Sequence, residues 1–395
     1  MQLTKQQKDI HDLLMDWVSD NLGTCAYRAL SGYAGTGKTT LLGELALSIQ
    51  KKFPKVSLSF ITYTGKASTV LASKLDNSKI NWDRAYCGTI HSVLYDYLGE
   101  KHGQMMWKTK DHRMVLGDLI IVDEASMITP KILKDLLRLN RPILFVGDPG
   151  QLPPIDSECF QPLLDTPFIL TEIHRQAWDN PIIQLATRIR QGETIDYGVY
   201  GNKAAKLRQR SRETQKMLGG FYSSMLKDPE KIILCAKNYT RTSTNSVIRY
   251  KAGLGKHPEK GERIICLKNN KEMGLMNGFI VPLESCFVKK DRLYHLELGS
   301  YGRAYCHAKS FNSADQKALK TALSQDRELI KNYTDPDSIM FFDYAYAITV
   351  HKSQGSEWEK VVLFDERLPF YSEEEYRKWL YTGVTRAKEK LLIVG

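Results

Sequence analysis

One segment constrains this chain more than any other: a glycine-rich loop that joins an apolar run to an amphipathic one. Residues 32–39 read GYAGTGKT, a full GxxxxGK[ST] pattern, and they follow the apolar run Ala26–Ser31. Glycines let backbone N–H groups curl around a phosphate, and the N-terminus of the following helix adds its dipole. The sequence therefore predicts a nucleotide-binding P-loop between a strand and a helix. The residues expected to hold the nucleotide are Gly32, Gly35, Thr36, Gly37, Lys38, Thr39 and Thr40.

A P-loop that hydrolyses its nucleotide needs an acidic element at the end of a neighbouring strand. Here the apolar run Leu119–Val122 leads directly into Asp123 and Glu124. Thr39 and Asp123 are the expected Mg²⁺ ligands, and Lys38 would reach the β- and γ-phosphates. Glu124 would orient and deprotonate the attacking water. The alternative, two solvated acids that cap a helix, is disfavoured by the apolar run before them, so the two motifs together predict hydrolysis of a nucleoside triphosphate.

Short apolar runs alternate with helical stretches along most of the chain. Strands that alternate with helices indicate parallel sheets with both faces covered, an α/β class. The predicted strands are Ala26–Ser31, Val56–Thr62, Leu119–Val122, Ile143–Val146, Lys231–Cys235 and Val361–Phe364. The predicted helices are residues 1–22, Lys131–Leu139 and Asn180–Gln191.

Three stretches depart from this alternation. Residues 96–117 are polar with interspersed aromatic residues, and they predict a small hairpin insertion. Residues 262–312 show short alternating runs with turn signals, which predict a small β module, and a helical segment follows at 313–332. The basic stretch Lys203–Lys216 is either a solvated helix face or a binding surface, and the first interpretation is favoured.

The charge balance bears on the class of partner. Lys and Arg total 56 against 45 Asp and Glu, a formal net charge of +11. Such an excess suits a polyanion such as nucleic acid, although a basic surface that maintains solubility explains it equally well. The 7 cysteines include no CxxC pair, which argues against a zinc site or a disulfide framework. No signal peptide or membrane-length apolar run is present, so we expect a cytoplasmic protein without membrane contact.

Seven short motifs beside the P-loop and the acidic pair occur in the order typical of one group. The chain resembles the superfamily 1B DNA helicases, specifically their RecD-like and Dda-like branch, over Leu3 to Val394. The motifs are LTKQQ at 3–7, TYTGKA at 62–67, GTIHS at 88–92, GDPGQLPP at 147–154, LTEIHRQ at 170–176, ITVHKSQGSE at 348–357 and YTGVTRA at 381–387. The resemblance implies two RecA-like parallel-sheet domains, with a small hairpin insertion in the first and an SH3-like β insertion in the second.

The resemblance assigns further nucleotide contacts. Gln7 would contact the adenine, and Gln151 would sense the γ-phosphate. Arg175 and Arg386 would reach the phosphates from the second domain, where an arginine stabilises the charge that develops in phosphoryl transfer. Gln354, Gly355 and Glu357 would also face the nucleotide. The expected cofactors are ATP and Mg²⁺, with ATP bound in the cleft between the two RecA-like domains.

The resemblance also assigns the nucleic-acid contacts. Trp107, in the hairpin insertion, is the aromatic candidate for the tip of a strand-separating pin, and a role in the core is an equal alternative. The full expected set comprises Thr64, Gly65, Lys66, His91, Ser92, Trp107, Asn238, His351, Lys352 and Ser353.

The domain boundaries and the activity follow from the same resemblance. We expect a first domain at 1–165 with an insertion at about 94–117, a second at 166–261 and 341–395, and an inserted domain at 262–340. The implied activity is 5′→3′ DNA unwinding and single-strand translocation driven by ATP, by a monomeric core motor in a bacterial or phage-infected cell. The partners would be single-stranded DNA, its junctions with duplex, and replication, recombination or repair proteins. The alternatives are an RNA helicase or RNA-dependent ATPase, and a nucleotide-gated DNA-binding switch that does not translocate.

Overall fold

The structure is a computed structural model. It describes residues 3–101, 104–109, 117–154, 160–173, 178–268, 270, 273–275, 277–289, 293–313 and 339–395, with only the backbone for 96–101, 104–109 and 289. The chain divides into two compact units. Unit 1 comprises residues 1–97 and 107–190, and unit 2 comprises residues 98–106 and 191–395.

The first 190 residues form alternating strands and helices. The strands are β1 (Tyr27–Gly32), β2 (Leu58–Thr62), β3 (Ala85–Thr89), β4 (Tyr95–Lys101), β5 (Gln104–Thr109), β6 (Leu119–Asp123), β7 (Ile143–Gly147) and β8 (Ile169–Leu170). The helices are α1 (Lys5–Asn21), α2 (Lys38–Lys52), α3 (Gly65–Asp76), α4 (Ile90–Leu94), α5 (Pro130–Leu137) and α6 (Pro181–Arg190). Six of these strands form a parallel sheet in the order β3-β2-β6-β7-β1-β8.

Both faces of this sheet are buried. Leu30, Phe60 and Ile121 belong to a hydrophobic cluster with side chains of α1, α2 and α3. The neighbouring residues Ile61 and Val122 belong to a second cluster with side chains of α4 and α5. Because successive strand residues point to opposite faces, strands that are apolar at every position bury both faces under helices.

Unit 2 contains a second sheet of the same kind. Its elements are β9 (Gly198–Tyr200), β10 (Ala204–Leu207), α7 (Arg212–Ser223), β11 (Lys231–Cys235), α8 (Asn238–Lys251), β19 (Ala347–Thr349), β20 (Trp358–Phe364), α9 (Glu373–Val384) and β21 (Ala387–Val394). The strand order is β19-β11-β20-β21-β10-β9, parallel except for the edge strand β9.

A small β module lies between β11 and β19 in sequence. Its strands are β12 (Arg263–Cys266), β13 (Ile280–Pro282), β14 (Ser285–Lys289), β15 (Leu293–Glu297), β16 (Arg303–His307), β17 (Ile339–Met340) and β18 (Phe342–Tyr344). They form a three-stranded sheet, β13-β12-β18, and a four-stranded sheet, β14-β15-β16-β17, around one hydrophobic core. Only Ala345 and Tyr346 separate β18 from β19.

The α/β class with parallel sheets and a β module is confirmed, and each predicted strand overlaps an observed one. The expected hairpin insertion appears as β4 and β5, which form a two-stranded sheet. One interpretation needs correction: the basic stretch Lys203–Lys216 is not a single helix face, because Ala204–Leu207 pairs with β21 and α7 begins only at Arg212. The helical segment predicted at 313–332 lies almost entirely outside the described residues. Among the described residues, no helix combines the length and the apolarity needed to cross a bilayer.

Candidate functional site

The carboxyl edge of the first sheet gathers the predicted motifs of unit 1. Thr62, at the end of β2, is in register with both Thr89 on β3 and Asp123 on β6. On the other side of the sheet, Ser31 on β1 is in register with Gly147 on β7. The P-loop, the acidic pair and the motifs at 62–67, 88–92, 147–154 and 170–176 therefore all begin at this edge. In open α/β sheets the carboxyl edge is where ligands bind.

The loop between β1 and α2 has the backbone that a phosphate cradle requires. Gly35 and Gly37 adopt positive φ angles of 79° and 77°, a left-handed conformation that glycine adopts without steric cost. Gly37 is the N-cap of α2, so Lys38, Thr39 and Thr40 form the first turn of that helix. Their backbone N–H groups have no partner within the helix and can donate to an anion.

Gly32 is required by close packing instead. A Cβ atom at this position would lie 2.9 Å from Cγ of Lys38 and 2.9 Å from Oγ1 of Thr36. The Thr36 hydroxyl donates to the carbonyl of Tyr33 at 2.8 Å. The Lys38 ammonium donates to the carbonyls of Gly32 at 2.6 Å and Tyr33 at 3.1 Å, so it lies within the loop.

Gln7 is buried against this loop, at 1% exposure. Its amide nitrogen donates to the Thr36 carbonyl at 3.1 Å, and its amide oxygen accepts the N–H of Thr4 at 3.0 Å. The Thr4 hydroxyl in turn accepts the N–H of Gln7, which completes a capping box at the start of α1. The structure thus places Gln7 as a link between α1 and the P-loop, and its contact with the adenine stays a prediction.

Asp123 and Glu124 follow β6 as the sequence predicts. Burial raises the pKa of Asp123, and the positive charge of Lys38 is among the effects that oppose this rise. Oδ1 of Asp123 accepts the backbone N–H of Glu124 at 2.9 Å. Glu124 has a left-handed backbone at φ 56°, which is costly for a residue with a side chain and is typical of functional sites.

The end of β7 packs against Ala125 and Ser126, the two residues that follow the acidic pair. A Cβ at Gly147 would lie 3.1 Å from the backbone nitrogen of Ser126 and 3.2 Å from that of Ala125, which leaves little room for a side chain. Gln151 is 6% exposed, and its Oε1 is buried without a hydrogen-bond partner among the described residues. An unpaired buried amide oxygen is costly, so it suits a group that accepts a hydrogen bond from a water or another donor at the nucleotide.

The expected DNA contacts of unit 1 start two neighbouring helices. Thr64 is the N-cap of α3, and its hydroxyl accepts the N–H of Ala67 at 3.2 Å. Gly65, a buried residue, and Lys66 follow in the first turn. On α4, the His91 ring packs edge-on against Tyr63 with centroids 5.7 Å apart. Ser92 forms a capping box with Thr89: its hydroxyl accepts the N–H of Thr89 at 3.2 Å, and the Thr89 hydroxyl accepts the N–H of Ser92 at 3.1 Å.

In unit 2, the segment after β19 forms a short 3-10 helix, Val350–Ser353. Burial lowers the pKa of His351 from its usual value near 6.5, so its imidazole is neutral at pH 7. Lys352 is partly exposed, whereas Ser353 is fully buried and its hydroxyl donates to the Val350 carbonyl at 2.6 Å. Contact between the Ser353 side chain and DNA therefore requires a rearrangement of this turn.

Asn238 is the first residue of α8, at the end of β11, which pairs with β19. Its side-chain oxygen accepts a hydrogen bond from Nε of Arg241 at 3.2 Å. Glu366, which sequence reasoning missed, accepts the backbone N–H groups of Ala236 at 2.9 Å and Lys237 at 3.0 Å. Glu366 thus stabilises the start of α8, and no local pattern around Glu366 indicates this long-range contact.

Arg386 lies at the start of β21, beside the segment that leads into β20. It is 4% exposed, and its guanidinium donates to the carbonyls of Thr382 at 3.1 Å and Ser356 at 3.2 Å. No carboxylate among the described residues pairs with it. A buried cation that lacks an anionic partner is costly, and it fits a residue that binds an anionic ligand.

The other nucleotide contacts predicted in unit 2 adjoin Arg386 in the fold. Gln354 is 5% exposed, and Gly355 has a positive φ of 73°. Glu357 is exposed and lies 3.8 Å from the ammonium of Lys388. The main chain joins the two segments, because the N–H of Trp358 donates to the Arg386 carbonyl at 2.9 Å.

Two predicted residues cannot be placed fully. Arg175 lies outside the described residues, and Trp107 is described only by its backbone. That backbone corrects its expected position: Trp107 lies within β5 and not at the tip between β4 and β5. Sequence reasoning also missed Gln6, whose amide oxygen accepts the N–H groups of Thr171 at 3.1 Å and Glu172 at 3.0 Å. Gln6 therefore ties α1 to the segment that leads to Arg175.

Among the described residues, no three His, Cys, Asp or Glu side chains converge as a metal centre. Mg²⁺ at a nucleotide needs only one or two protein ligands beside the phosphates and water. Asp123 fits this role, because Oδ1 takes the only hydrogen bond found on its carboxylate in the described part of the chain. Thr39, next to Lys38 in the first turn of α2, carries the hydroxyl that is the second candidate Mg²⁺ ligand.

Comparison with known proteins matches both units to families. Residues 16–212 match the model of an AAA domain, and residues 344–394 match that of the UvrD-like helicase C-terminal domain. The first match contains the P-loop and the acidic pair, and the second contains the segments that hold Gln354 and Arg386.

Similar proteins and structures cover nearly the whole chain. The ATP-dependent RecD2 DNA helicase of Deinococcus radiodurans is 26% identical over 96% of this chain, which spans 48% of that protein. The RecBCD enzyme subunit RecD of Haemophilus influenzae is 23% identical over 96% of this chain and 68% of that subunit. A Pif1 helicase from Bacteroides, in complex with ADP-AlF3 and ssDNA, aligns with all of this chain and 92% of its own at a TM-score of 0.53 and 18% identity, which supports a common fold.

Proposed function

Because this chain belongs to the RecD-like branch of the superfamily 1B helicases, we propose that it is an ATP-dependent DNA helicase that translocates 5′→3′ along single-stranded DNA. The observation that carries the proposal is the convergence of motifs at the carboxyl edge of the first sheet. There the P-loop, Asp123, Gln151 and the capped helices that begin at Gly65 and Ile90 follow neighbouring strands.

The residues of unit 1 have distinct chemical roles. The P-loop amides and Lys38 bind the phosphates, and Glu124 orients and deprotonates the attacking water. Mg²⁺, held by Thr39 and Asp123, would supply charge neutralisation at the β- and γ-phosphates. Gln151 lies in the loop after β7, the neighbour of β6, and its amide oxygen, which has no partner among the described residues, can accept a hydrogen bond at the nucleotide.

Unit 2 contributes the arginine that the reaction requires. Phosphoryl transfer builds negative charge on the transferred group, and an arginine that stabilises it contributes about 10³–10⁵ in rate. Arg386 is held in place by three hydrogen bonds and lacks a carboxylate partner in the described part of the chain. We assign it this role, with Arg175 as the second arginine.

Nucleic-acid contacts in both units distinguish a motor from a switch. Unit 1 presents His91 and the first turn of α3, and unit 2 presents His351, Lys352 and Asn238 at the ends of β19 and β11. A chain that binds one strand through two units can step along it when nucleotide changes their arrangement. A nucleotide-gated binding switch needs only one such contact surface.

The decisive experiment is displacement of streptavidin from biotinylated single strands. We expect ATP-dependent displacement from a 3′-terminal biotin and little displacement from a 5′-terminal biotin. Displacement from neither end, despite ATP hydrolysis stimulated by DNA, would identify a switch. Stimulation by RNA that equals or exceeds that by DNA of the same sequence would favour the RNA-dependent alternative.

The matched control is the Lys38→Ala variant. It removes the ammonium that binds the phosphates while the loop glycines remain, so hydrolysis and displacement should be lost. Binding of single-stranded DNA should persist in part, and it should weaken steeply with salt because phosphate contacts release counterions. If the variant loses DNA binding and its circular dichroism spectrum also differs from that of the native protein, the variant is misfolded.

A further inference from the structure

Unit 2 contains a cavity that no nucleotide or DNA motif lines. It has a volume of about 620 Å³ and lies between α7 and the second sheet. Leu207, Val362 and Leu392 line it from the sheet, and Met217 and Phe221 line it from α7. This size is within the range of about 300–1,000 Å³ that is typical of ligand sites, and an apolar lining favours an apolar group.

Lysine side chains surround this apolar space. The lining includes Lys203, Lys231, Lys360 and Lys390, and a single carboxylate, Glu213. Asp228, outside the lining, pairs with Lys360 at 3.0 Å and Lys231 at 3.6 Å. The lining itself therefore holds four ammonium groups and one carboxylate, while Asp228, Glu359 and Glu389 act on Lys360 from outside the lining.

Two of the four lysines keep their charge unpaired. Lys390 donates to the carbonyl of Asn202 at 2.5 Å, and neither Lys390 nor Lys203 pairs with a carboxylate in the described part of the chain. The cavity thus combines an apolar interior with a positively charged rim.

Helix α7 carries an unusual pair of residues at this cavity. Gly219 and Gly220 lie inside the helix, and a Cβ atom at either position would meet no heavy atom within 4 Å. Packing therefore does not require glycine, although each one destabilises a helix by about 0.5–1 kcal/mol relative to alanine. Gly220 lines the cavity and Gly219 does not. The missing side chain at position 220 keeps the cavity open along α7.

We propose that this cavity is a docking site for an acidic peptide segment of a partner protein. An apolar side chain of the segment occupies the space between α7 and the sheet, and its carboxylates bind the lysine rim. The charge of the rim selects an acidic partner, because opposite charges steer and orient association. This inference does not depend on the proposed helicase activity.

A nucleic-acid strand fits the cavity less well. Single strands bind without sequence preference by stacking their bases on exposed aromatic rings along a basic groove. Phe221 is the one aromatic ring among the lining residues, and the Lys231 ammonium lies 5.3 Å from its centroid. A single ring with an ammonium near one face cannot stack successive bases, whereas a peptide side chain needs only the apolar walls.

The test is fluorescence anisotropy with the full chain and a labelled synthetic peptide of aspartates that ends in leucine and phenylalanine. We expect saturable binding that weakens with salt. Gly220→Leu should reduce the affinity about tenfold or more, because it fills the cavity. Gly219→Leu changes the same helix by the same residue outside the cavity, so it should bind like the wild type. Equal losses for the two variants, or no saturable binding by the wild type, would overturn the proposal.

A charge-reversal pair tests the rim. Lys390→Glu should reduce the affinity for the peptide by about tenfold or more. Lys251→Glu, on the exposed side of α8, should change that affinity little. A circular dichroism spectrum like that of the wild type shows that each variant is folded. If single-stranded oligothymidylate displaces the peptide and itself loses affinity in Gly220→Leu, the cavity binds nucleic acid and the peptide proposal is wrong.

Discussion

At the scale of single residues, the acidic pair after β6 separates two roles. Asp123 is partly buried and accepts a main-chain hydrogen bond, whereas Glu124 has a left-handed backbone directly after the strand. Strain of about 1–3 kcal/mol at such a residue persists only where the surroundings hold it in place. A left-handed backbone kept at Glu124 therefore supports a functional role for this residue.

Glu124→Gln should therefore separate nucleotide binding from hydrolysis. The amide keeps the size of the side chain but cannot accept the proton of the attacking water, so kcat should fall about 10²–10⁴-fold. The Kd for ATP should change little, as measured by titration with a fluorescent analogue. Glu284→Gln, an exposed change in the β module, should leave kcat intact. Wild-type turnover by Glu124→Gln would exclude Glu124 as the base.

The neutral state of His351 predicts a difference from its neighbour Lys352. A lysine that contacts a phosphate contributes about 0.7 to the slope of log K against log salt for single strands. Lys352→Ala should therefore reduce the salt slope by about 0.7. His351→Gln should weaken binding but leave the salt slope unchanged. Binding isotherms between low and moderate salt provide the measurement. A reduced slope for His351→Gln would mean that the imidazole is charged when DNA is bound.

The same burial gives a pH dependence of stability. The pKa of His351 is below its usual value near 6.5 in the folded chain, so the unfolded chain binds the proton more readily. The free energy of unfolding should therefore decrease as the pH falls below about 6.5, until the folded histidine is also protonated. In His351→Gln this part of the decrease should be absent, as measured by urea unfolding at several pH values. Identical pH profiles for the wild type and His351→Gln would show that the pKa of His351 is not lowered in the folded chain.

At the scale of elements, capped helices carry the predicted DNA contacts. Thr64 caps α3, and Thr129 caps α5 in the same way, accepting the N–H of Ile132 at 3.3 Å. Each Thr→Ala change should cost about 1 kcal/mol of stability. Only Thr64→Ala should also weaken single-stranded DNA binding, because Thr129 lies outside the DNA motifs. Equal DNA binding by the two variants would reduce Thr64 to a structural cap.

The elements differ in how well the sequence predicts them. β6 and β7 are recognisable because each is an uninterrupted apolar run of the usual strand length. β10 is not, because Ala204–Leu207 has no clear pattern and becomes a strand through its pairing with β21 near the end of the chain. Pairing also extends β20 back to Trp358, three residues before the predicted start.

The site shows the same division between local and distant causes. Lys38, Thr39 and Asp123 belong to patterns that fix the fold around them, so the sequence places them well. The contacts of Gln6 with Thr171 and of Glu366 with Lys237 span more than a hundred residues. Such contacts depend on the strand order, which the sequence of each element does not specify.

At the scale of the whole molecule, the proposal requires both units to act on one nucleotide. Arg386→Ala should abolish DNA-stimulated hydrolysis while unit 1 still binds ATP, because the P-loop is intact. Arg303→Ala, an exposed change on β16, serves as the control and should hydrolyse ATP normally. Steady-state hydrolysis and ATP titration together provide the measurement. Normal hydrolysis by Arg386→Ala would show that Arg386 of unit 2 does not take part in the reaction.

The short connection between the β module and the second sheet has a mechanical consequence. Ala345 and Tyr346 are fully buried, and their main chain is bonded on both sides, to Arg263 at 2.9 Å and Ile233 at 3.0 Å. The connection between β18, in the module, and β19, which leads to His351, is therefore short and held on both sides. A force applied to the β module would therefore be transmitted directly to the segment after β19 that contains His351, which is proposed to contact the DNA strand.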